Sequence, residues 1–168
     1  NNGDISFYED TGTTAKFFWD AADERLGLGT SSPSSILHTN NTADAPNGIT
    51  IQNSSASGSA DSYLQFKTNS ANVIMGIDAS GTDVFKISNG TALGTNDALV
   101  IDSSGNVGIG NTIPSSFNGG ANNLVVGSGS GAEGITIYGG AESNIFFADG
   151  ASAADSIKGR IEYAHSID

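Results

Sequence analysis

An internal repeat is the feature that most constrains how this chain can fold. Residues 26–35 read Leu-Gly-Leu-Gly-Thr-Ser-Ser-Pro-Ser-Ser, and residues 107–116 read Val-Gly-Ile-Gly-Asn-Thr-Ile-Pro-Ser-Ser. The match continues downstream, because Gly-Ile-Thr-Ile occurs at both 48–51 and 134–137. Since self-similarity of this kind marks chains that reuse one structural unit, the sequence predicts a repeat architecture.

The repeat predicts where the chain divides. We place a partial β repeat at 1–25, a full β repeat unit at 26–106 and a second, truncated unit at 107–168. The apolar run at 63–66 has a looser counterpart at 144–147. Insertions in loops explain why the spacing between equivalent positions varies by a few residues.

Local sequence patterns favour strands over helices. The chain has 23 Gly residues, and Gly costs about 1 kcal/mol relative to Ala inside a helix. No window shows sustained 3.6-residue periodicity, whereas short apolar runs are bounded by Gly, Asn, Asp and Ser. We therefore predict an all-β fold with short strands. The predicted strands are 5–9, 16–20, 26–28, 48–52, 62–68, 73–78, 83–88, 99–102, 107–109, 122–126, 134–138, 143–148 and 156–163.

Short strands joined by Gly- and Ser-rich turns bury little apolar area. Each ordered residue costs about 1–2 kcal/mol of backbone entropy, which such strands do not offset alone. Stacked repeats or intertwined identical chains solve this problem, and closed symmetric assembly also removes exposed strand edges. The Gly-x-Gly steps at 26–29 and 107–110 fit close backbone approach, and Pro33 and Pro114 end the strands.

The residues at 101–110, Ile-Asp-Ser-Ser-Gly-Asn-Val-Gly-Ile-Gly, are followed by a Pro-Ser step. This run resembles the repeat region of bacteriophage tail fibres and related appendage proteins, and 5–12, 15–20 and 159–163 look similar. The resemblance implies an elongated, trimeric, intertwined fibre in the virion, bound to other tail or capsid proteins. In that family a C-terminal intramolecular chaperone that cleaves itself off often follows the shaft, and no such domain is visible in these residues.

The charge balance argues against nucleic acid and membrane partners. The chain carries 6 Lys and Arg against 18 Asp and Glu, a net charge of −12. Phosphate binding needs clustered basic residues, which are absent. Without Cys there is no disulfide or thiolate chemistry, and no apolar run is long enough to span a bilayer.

No catalytic, cofactor or metal site is predicted. The Gly-rich run at 127–131 lacks the Lys of a phosphate-binding loop. His38, predicted in a loop, and His165 have no metal-ligand spacing, and both are interpreted as solvated or locally bonded. The acidic residues are interpreted as surface carboxylates in turns; those considered are Asp20, Asp23, Glu24, Glu133, Glu142, Asp149 and Asp155.

Surface contacts with a receptor are the remaining candidates for function. Trp19 belongs to the strongest aromatic cluster, which suits a core, a subunit interface or a sugar platform. Asn111, Phe117 and Asn118 lie in the predicted loop 111–123 and are the other candidate contacts.

Three functions are compatible with these features. The first is a non-enzymatic structural segment of a phage tail fibre, a homotrimer that positions host-receptor-binding parts. The second is a carbohydrate- or protein-binding module of a fibre, bacterial adhesin or surface layer, which contacts host surface glycans itself. The third is a polysaccharide-depolymerising tailspike, which ranks last because such enzymes show long, regular β-helix coils.

Overall fold

A computed structural model describes the chain over residues 3–80, 83–139, 142–148 and 159–164. These residues form twelve β-strands and a short 3-10 helix, Pro114–Ser116, and no α-helix. The predicted all-β fold is thus confirmed. Within the same ranges, no helix has the length and apolar character needed to cross a membrane.

The chain forms two compact units, residues 1–51 and 52–168. The first unit contains one four-stranded sheet in the order β1-β2-β3-β4. Its β1–β2 and β2–β3 pairs are antiparallel, and its β3–β4 pair is parallel. The strands are β1 (Ile5–Tyr8), β2 (Ala15–Asp20), β3 (Arg25–Leu28) and β4 (Leu37–Thr39).

The second unit contains a six-stranded sheet in the order β10-β9-β8-β7-β6-β5 and a separate antiparallel pair. Neighbours in the large sheet are antiparallel except β9 and β10, which are parallel. Its strands are β5 (Ser62–Lys67), β6 (Asn72–Asp78), β7 (Val84–Ser88), β8 (Asp97–Ile101), β9 (Val107–Ile109) and β10 (Leu124–Val126). The separate pair is β11 (Glu142–Phe147) and β12 (Gly159–Ala164).

The sequence repeat is also a repeat of sheet topology. Strands β1 to β4 and β7 to β10 share the same order, with two antiparallel pairings followed by a parallel one. An Asp side chain closes the hairpin turn in both. Asp20 accepts a bond from the Ala22 backbone N–H at 3.1 Å, and Asp102 accepts one from the Ser104 backbone N–H at 2.9 Å. In both turns the Asp carboxylate accepts the hydrogen bond that a backbone carbonyl would accept in an ordinary turn. This explains why Asp begins each turn.

The first Gly of each Gly-x-Gly step lies against its own chain. A Cβ on Gly27 would be 2.2 Å from the Thr30 carbonyl oxygen, and one on Gly108 would be 2.1 Å from that of Asn111. No Cβ tolerates such a contact, so both positions require glycine. The second Gly of each step, Gly29 or Gly110, has a φ of 78° or 67°, which turns the chain back toward this contact.

The strand predictions fail at two equivalent places. Residues 48–52 and 134–138 form no strand, because the chain offers no partner for them. Strand β4 and the 3-10 helix were not predicted, and His38 lies in β4 instead of a loop. The other predicted strands are present with ends shifted slightly, although 156–158 lie outside the described residues. The proposed repeat boundaries remain a prediction; the compact units divide the chain elsewhere.

The close approach at Gly108 gives a first prediction. Gly108→Ala should lower the free energy of unfolding by about 3 kcal/mol or more, because the added methyl overlaps backbone that has to move. Gly119→Ala is the matched control, since its Cβ would meet nothing within 4 Å. Urea denaturation at one protein concentration measures both, and equal stabilities for the two variants would contradict the contact.

Candidate interaction surface

One face of the six-stranded sheet is made of two rows of apolar side chains that cross all six strands. Residues paired in register lie on the same face, so the rows follow from the strand pairings. The first row is Leu64, Met75, Ile87, Leu99, Ile109 and Val126. The second row is Ile77, Phe85, Ile101, Val107 and Leu124, with Ser62 at the β5 end. We call these rows, with Phe66 and Val73, the apolar face.

The apolar face is not covered by the part of the chain that the structure describes. None of its members is buried, and Phe66 and Leu124 are 57% and 55% exposed. Seven of its members are at least about a third exposed: Leu64, Phe66, Val73, Ile77, Ile101, Ile109 and Leu124. A contiguous exposed apolar surface of this kind is a candidate interaction site.

The four-stranded sheet of the first unit carries the same two rows. Ile5, Trp19, Leu26 and Leu37 form one row, and Phe7, Phe17, Leu28 and Thr39 form the other. The rings of Phe7 and Phe17 meet edge to face with centroids 5.3 Å apart. Phe7 is nevertheless 63% exposed, so these rows are also uncovered.

The small core of the second unit lies on the opposite face of the sheet. Ile74 and Val100, from β6 and β8, are almost fully buried there. Leu93, from the loop between β7 and β8, is also buried. The described part of the chain thus covers one face of this sheet and leaves the apolar face open.

An ion cluster fastens this loop to the sheet. The Lys86 ammonium lies 2.7 Å from Asp78 Oδ2 and 3.1 Å from Asp97 Oδ2, and all three side chains are largely buried. Asp97 also accepts hydrogen bonds from the Ser88 hydroxyl and, at 3.0 Å, from the Gly94 backbone N–H. Because the two carboxylates share one cation and their remaining oxygens are hydrogen-bonded, the cluster is suited to burial.

The environment shifts the pKa of two members of the cluster. Burial alone would raise the pKa of Asp78, but hydrogen bonds from Lys86 and Ser80 outweigh it and hold the pKa at about 2. Burial would likewise lower the pKa of Lys86, but its bonds to Asp78 and Asp97 raise it above 10.5. Both side chains are therefore charged in the folded state at neutral pH.

The candidate contact residues fall in different environments. Trp19 lies half-buried in a row of the first unit. Phe117 and Asn118, in the second unit, are exposed just after the 3-10 helix. Asn111 is buried, and its amide donates to the Gly127 carbonyl at 3.2 Å and accepts from the Ile113 N–H at 3.0 Å. Its side chain is thus occupied in holding the loop that contacts Gly108.

The polar candidates are used for local structure where the chain is described. His38 Nδ1 accepts a hydrogen bond from the Ser34 backbone N–H at 3.3 Å, and Asp23 pairs with Arg25 at 3.1 Å. His165, Asp149 and Asp155 lie outside the described residues. No group of three or more His, Asp or Glu side chains that could hold a metal ion occurs within the described part of the chain.

A shallow depression in the first unit is rich in hydroxyl groups. It has a volume of about 420 Å³ and lies beside the β1–β2 hairpin. Its lining residues are Ser6, Tyr8, Thr13, Thr14, Ala15, Phe18, Gly29, Thr30 and Ser31. Hydroxyls beside aromatic rings are chemically compatible with a sugar, although Trp19 does not line the depression.

The ion cluster gives a second prediction. Lys86→Met should lower the free energy of unfolding by about 3–5 kcal/mol, because it leaves two carboxylates buried without their cation. Lys67→Met is the control, since Lys67 is an exposed lysine of the same sheet. Chemical denaturation monitored by circular dichroism compares the two. A loss no larger than that of the control would show that the cluster does not hold the loop.

The pKa of Asp78 gives a third prediction. Because its folded pKa is about 2 against an ordinary 3.8, the stability it contributes is present above about pH 4 and is lost as pH falls toward 2. The raised pKa of Lys86 gives the opposite sign, so its contribution is lost only above pH 10.5. Asp78→Asn should flatten the acid limb of a plot of unfolding free energy against pH. An unchanged slope would contradict the assignment.

No protein-family model matches the chain, and a search of curated proteins finds no match to it either. The apolar face therefore has to be interpreted from its own chemistry and from its repetition along the sequence.

Proposed function

We propose that this chain is a non-enzymatic structural segment of a phage tail fibre, in which copies of the chain assemble as a homotrimer. The segment positions host-receptor-binding parts for attachment. It joins other tail or capsid proteins of the virion and requires neither cofactor nor nucleic acid. The observation that carries the proposal is the uncovered apolar face, repeated on the sheets of both units.

Burial of the apolar face supports self-association. A standard-size interface takes about 800 Å² from each partner, and obligate assemblies are the more apolar class. Each square ångström of apolar surface that is covered contributes about 25 cal/mol before the costs of association. The register-matched rows contain no charged side chain, although the chain has a net charge of −12. An apolar partner surface is required, and a second copy supplies one.

The resemblance of the turn motif to phage fibre repeats supports the wider assignment. Asp102 closes the turn of this motif, and Gly108 makes its close contact, so the resemblance rests on residues with a structural role. Repeats that bury their apolar rows against copies of themselves can be extended lengthwise, as a shaft requires. A virion location in the tail fibre and a role in host attachment follow from that resemblance.

Light scattering coupled to size exclusion tests the proposal. The chain should have three times its 17.0 kDa monomer mass. Phe66→Glu should shift the mass to that of a monomer, because it places a charge on the apolar face. Gln65→Glu is the matched control, since Gln65 is exposed on the opposite face of the same strand.

A compact monomer of 17.0 kDa that unfolds cooperatively would contradict the proposal. It would favour the carbohydrate-binding alternative instead, for which the hydroxyl-lined depression beside Tyr8 is the candidate site. Equal disruption by Phe66→Glu and Gln65→Glu would show that the apolar face is not the interface.

A further inference from the structure

The two copies of Gly-Ile-Thr-Ile, at 48–51 and 134–137, are matched in sequence and in environment. Ile49 and Ile51 are 67% and 44% exposed, and Ile135 and Ile137 are 69% and 43% exposed. Both copies lie outside every strand, turn and helix. We call them the Gly-Ile-Thr-Ile segments.

Each segment has the sequence of a half-buried strand but no partner strand. Apolar Ile alternates with Thr, and both residue types are β-branched and favour strands. Among the described residues, no backbone hydrogen bond is made by 48–51 or 134–137. The pattern therefore predicts pairing that the single chain does not supply.

Both segments begin beside the end of an outermost strand. Asn47, before the first segment, donates from its side-chain amide to the Thr39 carbonyl at 3.0 Å, at the end of β4. Glu133, before the second segment, accepts a bond at 3.0 Å from the Gly129 backbone N–H, just past β10. A side-chain hydrogen bond therefore holds the start of each segment near the end of an outermost strand, from Asn47 in the first copy and from Glu133 in the second.

Each of the two larger sheets has an outermost strand near one of these segments. Strand β4 ends the first sheet and β10 ends the six-stranded sheet, so each has one side without a neighbouring strand. An edge strand presents N–H and C=O groups that can accept an added strand. In β4 the Leu37 and Thr39 carbonyls accept side-chain hydrogen bonds, which an added strand there would replace. Strands β1 and β5 form the other edges of these two sheets. Strands β4 and β10 are the edges at which the segments are tethered, which gives each segment one candidate edge.

We propose that each Gly-Ile-Thr-Ile segment pairs, as an added β-strand, with the open sheet edge of a neighbouring copy of this chain. The inference rests on the proposed homotrimer and deepens it. The added strand supplies the hydrogen bonds that its backbone lacks in the single chain. The added strand also extends the sheet of the neighbouring copy. The two Ile side chains of the segment then become part of an apolar surface that both copies contribute to.

Hydrogen–deuterium exchange on the oligomer tests this pairing. Amides of 49–51 and 135–137 should exchange at least about 100-fold more slowly in the oligomer than in the monomeric Phe66→Glu variant. Amides of β7 are the internal reference, because they are paired within the chain in both forms.

Proline substitution gives an independent readout. Thr50→Pro and Thr136→Pro each remove a backbone N–H and should raise the dissociation constant of the oligomer at least about tenfold. Ser54→Pro is the control, because Ser54 is exposed and no hydrogen bond to its N–H is seen within the described residues.

The outcomes separate the two proposals. An oligomer whose segments exchange as fast as in the monomer would overturn the strand pairing and leave the fibre proposal standing. An equal loss of affinity with Ser54→Pro and Thr50→Pro would likewise overturn the pairing. A chain that is monomeric without any substitution would overturn the proposed homotrimer, and the strand pairing with it.

Discussion

The covering of apolar sheet faces is the constraint on which the rest of this structure depends. The six-stranded sheet has apolar side chains on both sides, but the described part of the chain covers only one. Ile74 and Val100 are buried on that side, Leu93 of the β7–β8 loop is buried as well, and the ion cluster joins this loop to the sheet. This intrachain core is small, so the larger apolar face contributes to stability only when something outside the chain covers it.

The ion cluster and the apolar face have complementary roles. Lys86 links β7 to Asp78 on β6 and to Asp97 at the start of β8, so ion pairs join three neighbouring strands. A pre-organised sheet loses less conformational entropy when its other face is covered. The buried charges thereby stiffen the sheet that carries the apolar face, the surface proposed for association.

Much of the fold could be predicted from local patterns, because strand alternation and turn chemistry are local. Asp102 and Gly105 mark their turn by residue type alone, and Gly105 has the positive φ that its type favours. In the first repeat Glu24 occupies the left-handed region with φ of 55°, so residue type did not reveal the same conformation there.

Sequence patterns do not reveal a role that depends on a distant partner. Asn111 was considered a surface contact because it lies in the predicted loop 111–123, and no local pattern predicts the bond of its amide to Gly127 after β10. Lys86, Asp78 and Asp97 were missed because no spacing signals a cluster assembled by strand pairing. The polar positions of Lys86 and Asp78 on otherwise apolar strands were the available signal.

The Gly-Ile-Thr-Ile segments also show that local sequence does not reveal a distant partner. Their alternation correctly describes what the backbone favours, but a strand exists only where a second strand pairs with it. The unpaired segment, the outermost strand and the apolar rows recur together along the chain, so under the proposed assembly each copy of the motif carries its own surface for association. Adding repeats would then lengthen the covered surface in proportion, with each repeat stabilised by its nearest neighbours.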